Sequence, residues 1–119
     1  MLNKVQLIGR LTNDPKSGTG STSYAFISIA CNNKYKDKEG NVKEAVEYIN
    51  VSCFSKLAEI VSNYCHKGDL LYIEGKIKSQ NINQNGIKMT KVEIHAEKLR
   101  ILSSPRNSYS QNENDLPEE

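Results

Sequence analysis

Residues 48–68 read Tyr48-Ile49-Asn50-Val51-Ser52-Cys53-Phe54-Ser55-Lys56-Leu57-Ala58-Glu59-Ile60-Val61-Ser62-Asn63-Tyr64-Cys65-His66-Lys67-Gly68, and their hydrophobic period changes partway along. Over the first seven the period is two. Ile49, Val51 and Cys53 make an apolar face and Tyr48, Asn50, Ser52 and Phe54 the opposite one, as in a strand with one side buried. From Ser55 the period is helical: Leu57, Ile60, Val61 and Tyr64 recur at i, i+3, i+4 and i+7, which places Tyr64 on the buried stripe with its hydroxyl at the edge. Ser55 is the expected N-cap, and Lys67-Gly68 the expected end, with a basic last turn and a terminal glycine.

Upstream, residues 3–11 read as a first strand, ended by Thr12-Asn13-Asp14-Pro15. Residues 16–22 (Lys-Ser-Gly-Thr-Gly-Ser-Thr) read as flexible linkage, because their Gly-x-Gly lacks the Lys and the helix of a phosphate loop. In a second strand Ala25, Ile27, Ile29 and Cys31 face one way and Tyr24, Phe26, Ser28 and Ala30 the other. The charged segment 33–41, with turn residues Glu39-Gly40-Asn41, joins it to the strand at 48–54 as a projecting hairpin. Downstream, Leu71, Ile73 and Ile77 alternate with Tyr72, Glu74, Lys76 and Lys78 in a fourth strand. Asn85-Gly86 marks a hairpin turn, Val92, Ile94 and Ala96 alternate in a fifth strand, and Leu99, Ile101 and Leu102 close the body.

Three strands, one helix, then two strands is the order of the five-stranded Greek-key barrel called the OB-fold, an all-β class with a single helix between strands three and four. A cold-shock barrel lacks that helix, and a sandwich needs more strands. The length of 119 residues leaves room for one domain, 1–102, followed by a tail, 103–119. The body carries 15 Lys and Arg against 10 Asp and Glu, while the tail holds Arg106 against Glu113, Asp115, Glu118 and Glu119. The formal net charge of +2 therefore averages a basic body and an acidic tail. With only Tyr109 and Leu116 to bury, the tail is expected to be disordered.

No run approaches the roughly 18 apolar residues of a membrane span, and the opening Met1-Leu2-Asn3-Lys4 lacks a secretory core, so a cytoplasmic protein with no membrane partner is expected. Cys31, Cys53 and Cys65 have no CxxC spacing and sit in apolar patterns, which reads as three buried small hydrophobes. Neither a metal set nor a cofactor is expected, since Cys65-His66 has no further ligands nearby to complete a tetrahedron. A nuclease would need clustered carboxylates, and Glu44 and Glu47, the nearest pair, have no Asp or Arg close in sequence; no enzyme is expected.

A barrel whose faces carry rings and lysines suits single-stranded nucleic acid. Unpaired bases offer π-faces, each worth about 1–3 kcal/mol when stacked on a ring, and lysines follow the phosphates. A duplex hides those faces. Tyr48 is the leading candidate ring, because polar neighbours set it apart from the core face; Phe54 lies at the strand-to-helix junction; Tyr35 stands between Lys34 and Lys36. Lys56, Lys67, Lys76 and Lys78 flank the same elements, whereas Lys88 and Lys91 read as solvated surface and Tyr72 as facing a ligand or a neighbouring subunit. Stacking and charge do not read base edges, so little sequence preference is expected. A purely structural OB subunit would present a more apolar docking face than this one.

The segments Asn3-Lys4-Val5-Gln6-Leu7-Ile8-Gly9-Arg10-Leu11-Thr12-Asn13-Asp14-Pro15, Phe54-Ser55-Lys56-Leu57-Ala58-Glu59, Tyr64-Cys65-His66-Lys67-Gly68 and Tyr72-Ile73-Glu74-Gly75 resemble, in order, the bacterial single-stranded DNA-binding protein family over roughly residues 2–102. The resemblance implies a cytoplasmic, nucleoid-associated homotetramer of OB-folds that wraps single-stranded DNA in replication, recombination and repair. The family's stacking aromatics then fall on Tyr35, Tyr48 and Phe54, and its basic contacts on Lys4, Lys56, Lys67 and Lys78. Two further family aromatics fall on Ile82 and Met89, which weakens stacking along that edge. The family's acidic tip, which docks replication and repair proteins through a terminal Phe, corresponds to Asp115, Leu116 and Pro117, followed here by Glu118-Glu119; weakened recruitment is the expectation. A short tail and a diverged tip also suit a phage or plasmid paralogue. A primosome-type OB accessory protein is the alternative; it resembles this family but lacks the acidic tail.

Overall fold

The structure is a computed structural model describing residues 1–105, so the expected tail disorder and Asp115, Leu116 and Pro117 lie outside the described residues. The elements are β1 (Val5–Leu11), β2 (Lys16–Thr19), β3 (Ser23–Lys36), β4 (Val42–Phe54), α1 (Ser55–Tyr64), β5 (Leu70–Gln84) and β6 (Ile87–Ser103). β1 pairs antiparallel with β3 and with β5, β5 with β6, and β3 with β4. Strands β4 and β6 run parallel through Val51–Ile94 and Ser52–His95, which requires the intervening α1 and β5 as a crossover. The ring β1-β5-β6-β4-β3 closes on itself. This is the expected OB barrel, with its helix between the strands here numbered β4 and β5.

The core comes from alternate positions, as the period of two requires. Leu11, Ala25, Ile27, Ile29, Val51, Cys53, Leu71 and Ile73 point inward from the strands, and Ala58, Val61 and Cys65 close one end. Burial pushes the Cys53 thiol up to about 12, with Cys65 nearby adding to the shift, so Cys53 behaves as a small hydrophobe. Cys31 is half-buried. At Gly75 a Cβ would lie 2.2 Å from the His95 carbonyl oxygen, and the β5–β6 register shifts between Glu74 and Gly75. Only glycine permits that approach of β5 to β6.

Four expectations are corrected. Residues 16–19, read as linkage, form β2, which folds back on β3 from Lys16–Phe26 to Thr19–Ser23. A short polar edge strand has no core face, so hydrophobic alternation does not reveal it. The second correction concerns Ser55: the chain turns at this residue itself, with φ +58, so Phe54 holds the cap position and no side chain caps the helix. The third is the helix end, which falls at Tyr64 with no basic last turn. Gly68, at φ +93, turns the following loop instead, its N–H donating to the Leu11 carbonyl at 2.8 Å. Tyr64 is the fourth, being 62% exposed rather than core. The small side chain of Ala58 lets α1 pack closely, so the buried line runs Ala58, Val61, Cys65 and turns Ile60 and Tyr64 outward.

The two hairpins extend further than alternation suggested, β3–β4 to residues 36 and 42 and β5–β6 to residues 84 and 87. At the first tip, Asp37 Oδ1 accepts the Glu39 and Asn41 N–H groups, both at 2.9 Å. At the second, Asn85 (φ 53) and Gly86 (φ 79) take the two left-handed positions expected of Asn-Gly.

Candidate nucleic-acid interface

Because inner positions of β3 and β4 fill the core, their alternate positions form an outer face. The register sets Tyr24 opposite Phe54, Phe26 opposite Ser52, Ser28 opposite Asn50 and Ala30 opposite Tyr48. Tyr48 is 70% exposed, Phe26 46% and Phe54 41%, and Tyr24 is also exposed. The Tyr24 and Phe26 ring centroids lie 5.3 Å apart, and Phe54 lies 5.1 Å from the His95 ring. Four rings that could have packed inward are thus displayed on one continuous surface. Phe26, Ser28, Asn50 and Ser52 also floor a groove of about 420 Å³, with Asp14 and Lys16 on one wall and Lys91 and Glu93 on the other. An OB-fold places its oligonucleotide site on this strand face, between the loops that flank it.

Sequence reading singled out Tyr48 and Phe54 but not Tyr24 or Phe26. The missing signal was pairing: only the antiparallel register lays β3's outer residues beside those of β4. Lys91, read as solvated surface, lines the groove and lies 3.3 Å from Glu93.

The other candidate residues divide by location. Lys34 and Lys36 continue the outer face along β3, opposite Glu44 and Val42, while the alternating pleat turns the half-exposed Tyr35 ring to the reverse of the ribbon, opposite Lys43. Lys56 is exposed on the first turn of α1, and the Lys67 backbone N–H donates to Asp14 Oδ1 at 2.8 Å. Lys78 stands opposite Glu93, and Lys76 lies 3.8 Å from Glu97. Lys4 is on the β1–β5 side, 3.1 Å from Glu74. Glu74 also accepts the Tyr72 hydroxyl, to which Gln6 donates at 3.0 Å. These bonds, Tyr72 first and Lys4 second, hold the Glu74 carboxyl below its usual range, and the same Tyr72–Glu74 bond raises the Tyr72 hydroxyl. Tyr72 and Lys4 therefore belong to one polar cluster away from the groove. Ile82 and Met89 are direct cross-strand partners on the β5–β6 hairpin, so two departures that lie apart in sequence occupy one place. Among the described residues no three His, Cys, Asp or Glu side chains gather to hold a metal.

The sequence model described as the Single-strand binding protein family matches residues 2–102. The chain is 35% identical to a single-stranded DNA-binding protein of Aquifex aeolicus (strain VF5), over 95% of this chain and 78% of that one. It is 39% identical to one from Xylella fastidiosa (strain Temecula1 / ATCC 700964), over 85% of this chain and 63% of the relative. A deletion mutant of the single-stranded DNA binding protein from Thermus aquaticus has the same fold, with a TM-score of 0.79 and 26% identity over 87% of this chain and 52% of that one. The chain thus spans just under two thirds of the Xylella relative and about half of the Thermus one. With the family's pattern matched across the whole closed barrel, the chain belongs to the single-strand binding protein family.

Proposed function

We propose that this chain binds single-stranded DNA without reading its sequence and covers it during replication, recombination and repair. The observation that carries the reading is the outer face of β3 and β4, where Tyr48, Phe54 and Phe26 are exposed beside a polar groove and a run of lysines. Exposed rings are costly to hydrate but match unpaired bases, and the lysines match phosphates spaced along the strand. Lys34 and Lys36 extend the track along the β3–β4 hairpin and Lys76 and Lys78 along β5, Lys56 and Lys67 flank it at the start of α1 and in the loop after it, and Tyr35 would meet DNA only on the reverse of the ribbon. Family membership supports a homotetramer associated with the nucleoid in the cytoplasm, with replication and repair proteins meeting Asp115, Leu116 and Pro117. Binding rather than catalysis is the role: Glu44 and Glu47 sit on opposite faces of β4, so they do not form the paired carboxylates that metal-assisted hydrolysis needs. In a competition experiment, a labelled oligo-dT held by the protein should be displaced by unlabelled single strands of any sequence and not by duplex. Equal displacement by duplex would reduce the surface to general basic adhesion.

A further inference from the structure

The groove that should take a polyanion carries two carboxylates, Asp14 and Glu93. Asp14 has a structural duty, since it ties the loop after β1 to the Lys67 N–H at 2.8 Å. Glu93 has none of that kind. It stands on β6 between Lys91 and His95, at i−2 and i+2, so all three side chains leave the same face of the strand. One Glu93 oxygen, Oε2, lies 3.3 Å from Lys91 Nζ and the other, Oε1, 3.0 Å from His95 Nε2. Lys78 stands opposite Glu93 on β5, Lys76 opposite His95, and Ser52 beside His95 on β4. The His95 ring in turn lies against Phe54, one of the exposed rings. A two-oxygen anion surrounded by two lysines and an imidazole, next to a stacking ring, has the surroundings a nucleic acid phosphate needs. The bonds from His95 and then Lys91 hold the Glu93 carboxyl below its usual range, so it is charged at neutral pH.

We propose that Glu93 occupies a phosphate position in the groove: without DNA it is the counter-anion of Lys91 and the hydrogen-bond partner of His95, and a phosphate of the bound single strand takes its place. The inference rests on the groove being the DNA track. Glu93 keeps Lys91 and His95 oriented and balances a lysine charge in the groove, and it weakens binding because DNA must displace it. A charge-free, isosteric Glu93→Gln leaves Lys91 available to the phosphate, which restores one counterion release to the binding equilibrium.

The test is oligo-dT and oligo-dC binding by wild type and E93Q over a salt series. E93Q should bind about threefold to tenfold more tightly at low salt, with a log–log salt slope about 0.7 steeper, the two proteins converging as salt rises. Glu93→Thr, a residue that suits a strand, should behave the same way and serves where E93Q does not fold. Unchanged or weaker binding to both oligonucleotides overturns the inference. So does a loss confined to oligo-dC, which would make Glu93 an acceptor for a base amine instead. Wild-type binding with no effect of the substitution sinks this inference alone, whereas no binding by either protein sinks the functional reading with it.

Discussion

Tyr48 is the most exposed ring of the β3–β4 face, so under the proposed reading it is the side chain on which binding should depend most. Tyr48→Ala should cost about 1–3 kcal/mol of oligo-dT affinity while leaving the melting temperature unchanged. Phe26→Ala should give a loss of the same size, since that ring floors the groove. Fluorescence anisotropy with a labelled oligonucleotide measures both, and an unchanged affinity in a folded variant would remove that ring from the track. Tyr48 was legible in the sequence because polar Glu47 and Asn50 flank it while Ile49 and Val51 supply the core. Phe26 was not, because nothing within its own strand distinguishes a ring that covers the barrel from a ring that waits for a base. Ile82 and Met89 form an aliphatic cross-strand pair on the β5–β6 hairpin, so under the proposed reading the exposed rings of the β3–β4 face should carry more of the stacking than that hairpin.

At the scale of elements, the strands that fill the core were legible and the edges were not. Alternation over 24–31 and 48–54 and the Asn85-Gly86 turn located β3, β4 and the β5–β6 hairpin, because burial of one face imposes a period of two. Where both faces meet water, as in β2 and the outer halves of the hairpins, that constraint vanishes and the sequence carries no period. The helix was located, but its cap is Phe54 rather than Ser55, it ends at Tyr64 rather than at Lys67, and its face is rotated, because Ala58 contributes to packing through its smallness rather than its hydrophobicity. On the β1–β5 side, the Tyr72–Glu74 bond predicts a pH window. Glu74 is lowered from 4.5, so its contribution is complete above 4.5 and is lost as pH falls through the folded value. Tyr72 is raised from 10.0, so its contribution is complete below 10.0 and is lost as pH rises through the folded value. Glu74→Gln should therefore flatten both limbs of a melting-temperature profile measured across pH 4.5 and 10.0. Limbs as steep as those of the wild type would show that the cluster contributes nothing.

At the scale of the whole molecule, the formal charge of +2 conceals the property that matters. Lys16 and Lys91 line the groove beside the exposed rings and Lys34 and Lys36 continue that face along β3, while Lys4 lies on the β1–β5 side; the acidic residues of 106–119 follow later in the sequence. The Pro105 ring lies 3.2 Å from the position a Gly68 Cβ would occupy, against the loop that follows α1. Neither charge nor rings alone identify the partner: a basic surface without rings would hold any polyanion, and rings without charge would not hold a phosphate backbone. Single-stranded DNA satisfies both. Tryptophan is absent, so the emission of the six tyrosines, Tyr48 among them, is the intrinsic probe, and its loss in Tyr48→Ala isolates the share of that ring. The decisive measurement is a titration of the full chain with oligo-dT at several salt concentrations, followed by tyrosine quenching. Stacking with about five phosphate contacts predicts strong quenching and an affinity that falls with salt at a log–log slope of roughly −3 to −4. Salt-dependent binding without quenching would contradict stacking, and the absence of binding at low salt would contradict the account as a whole.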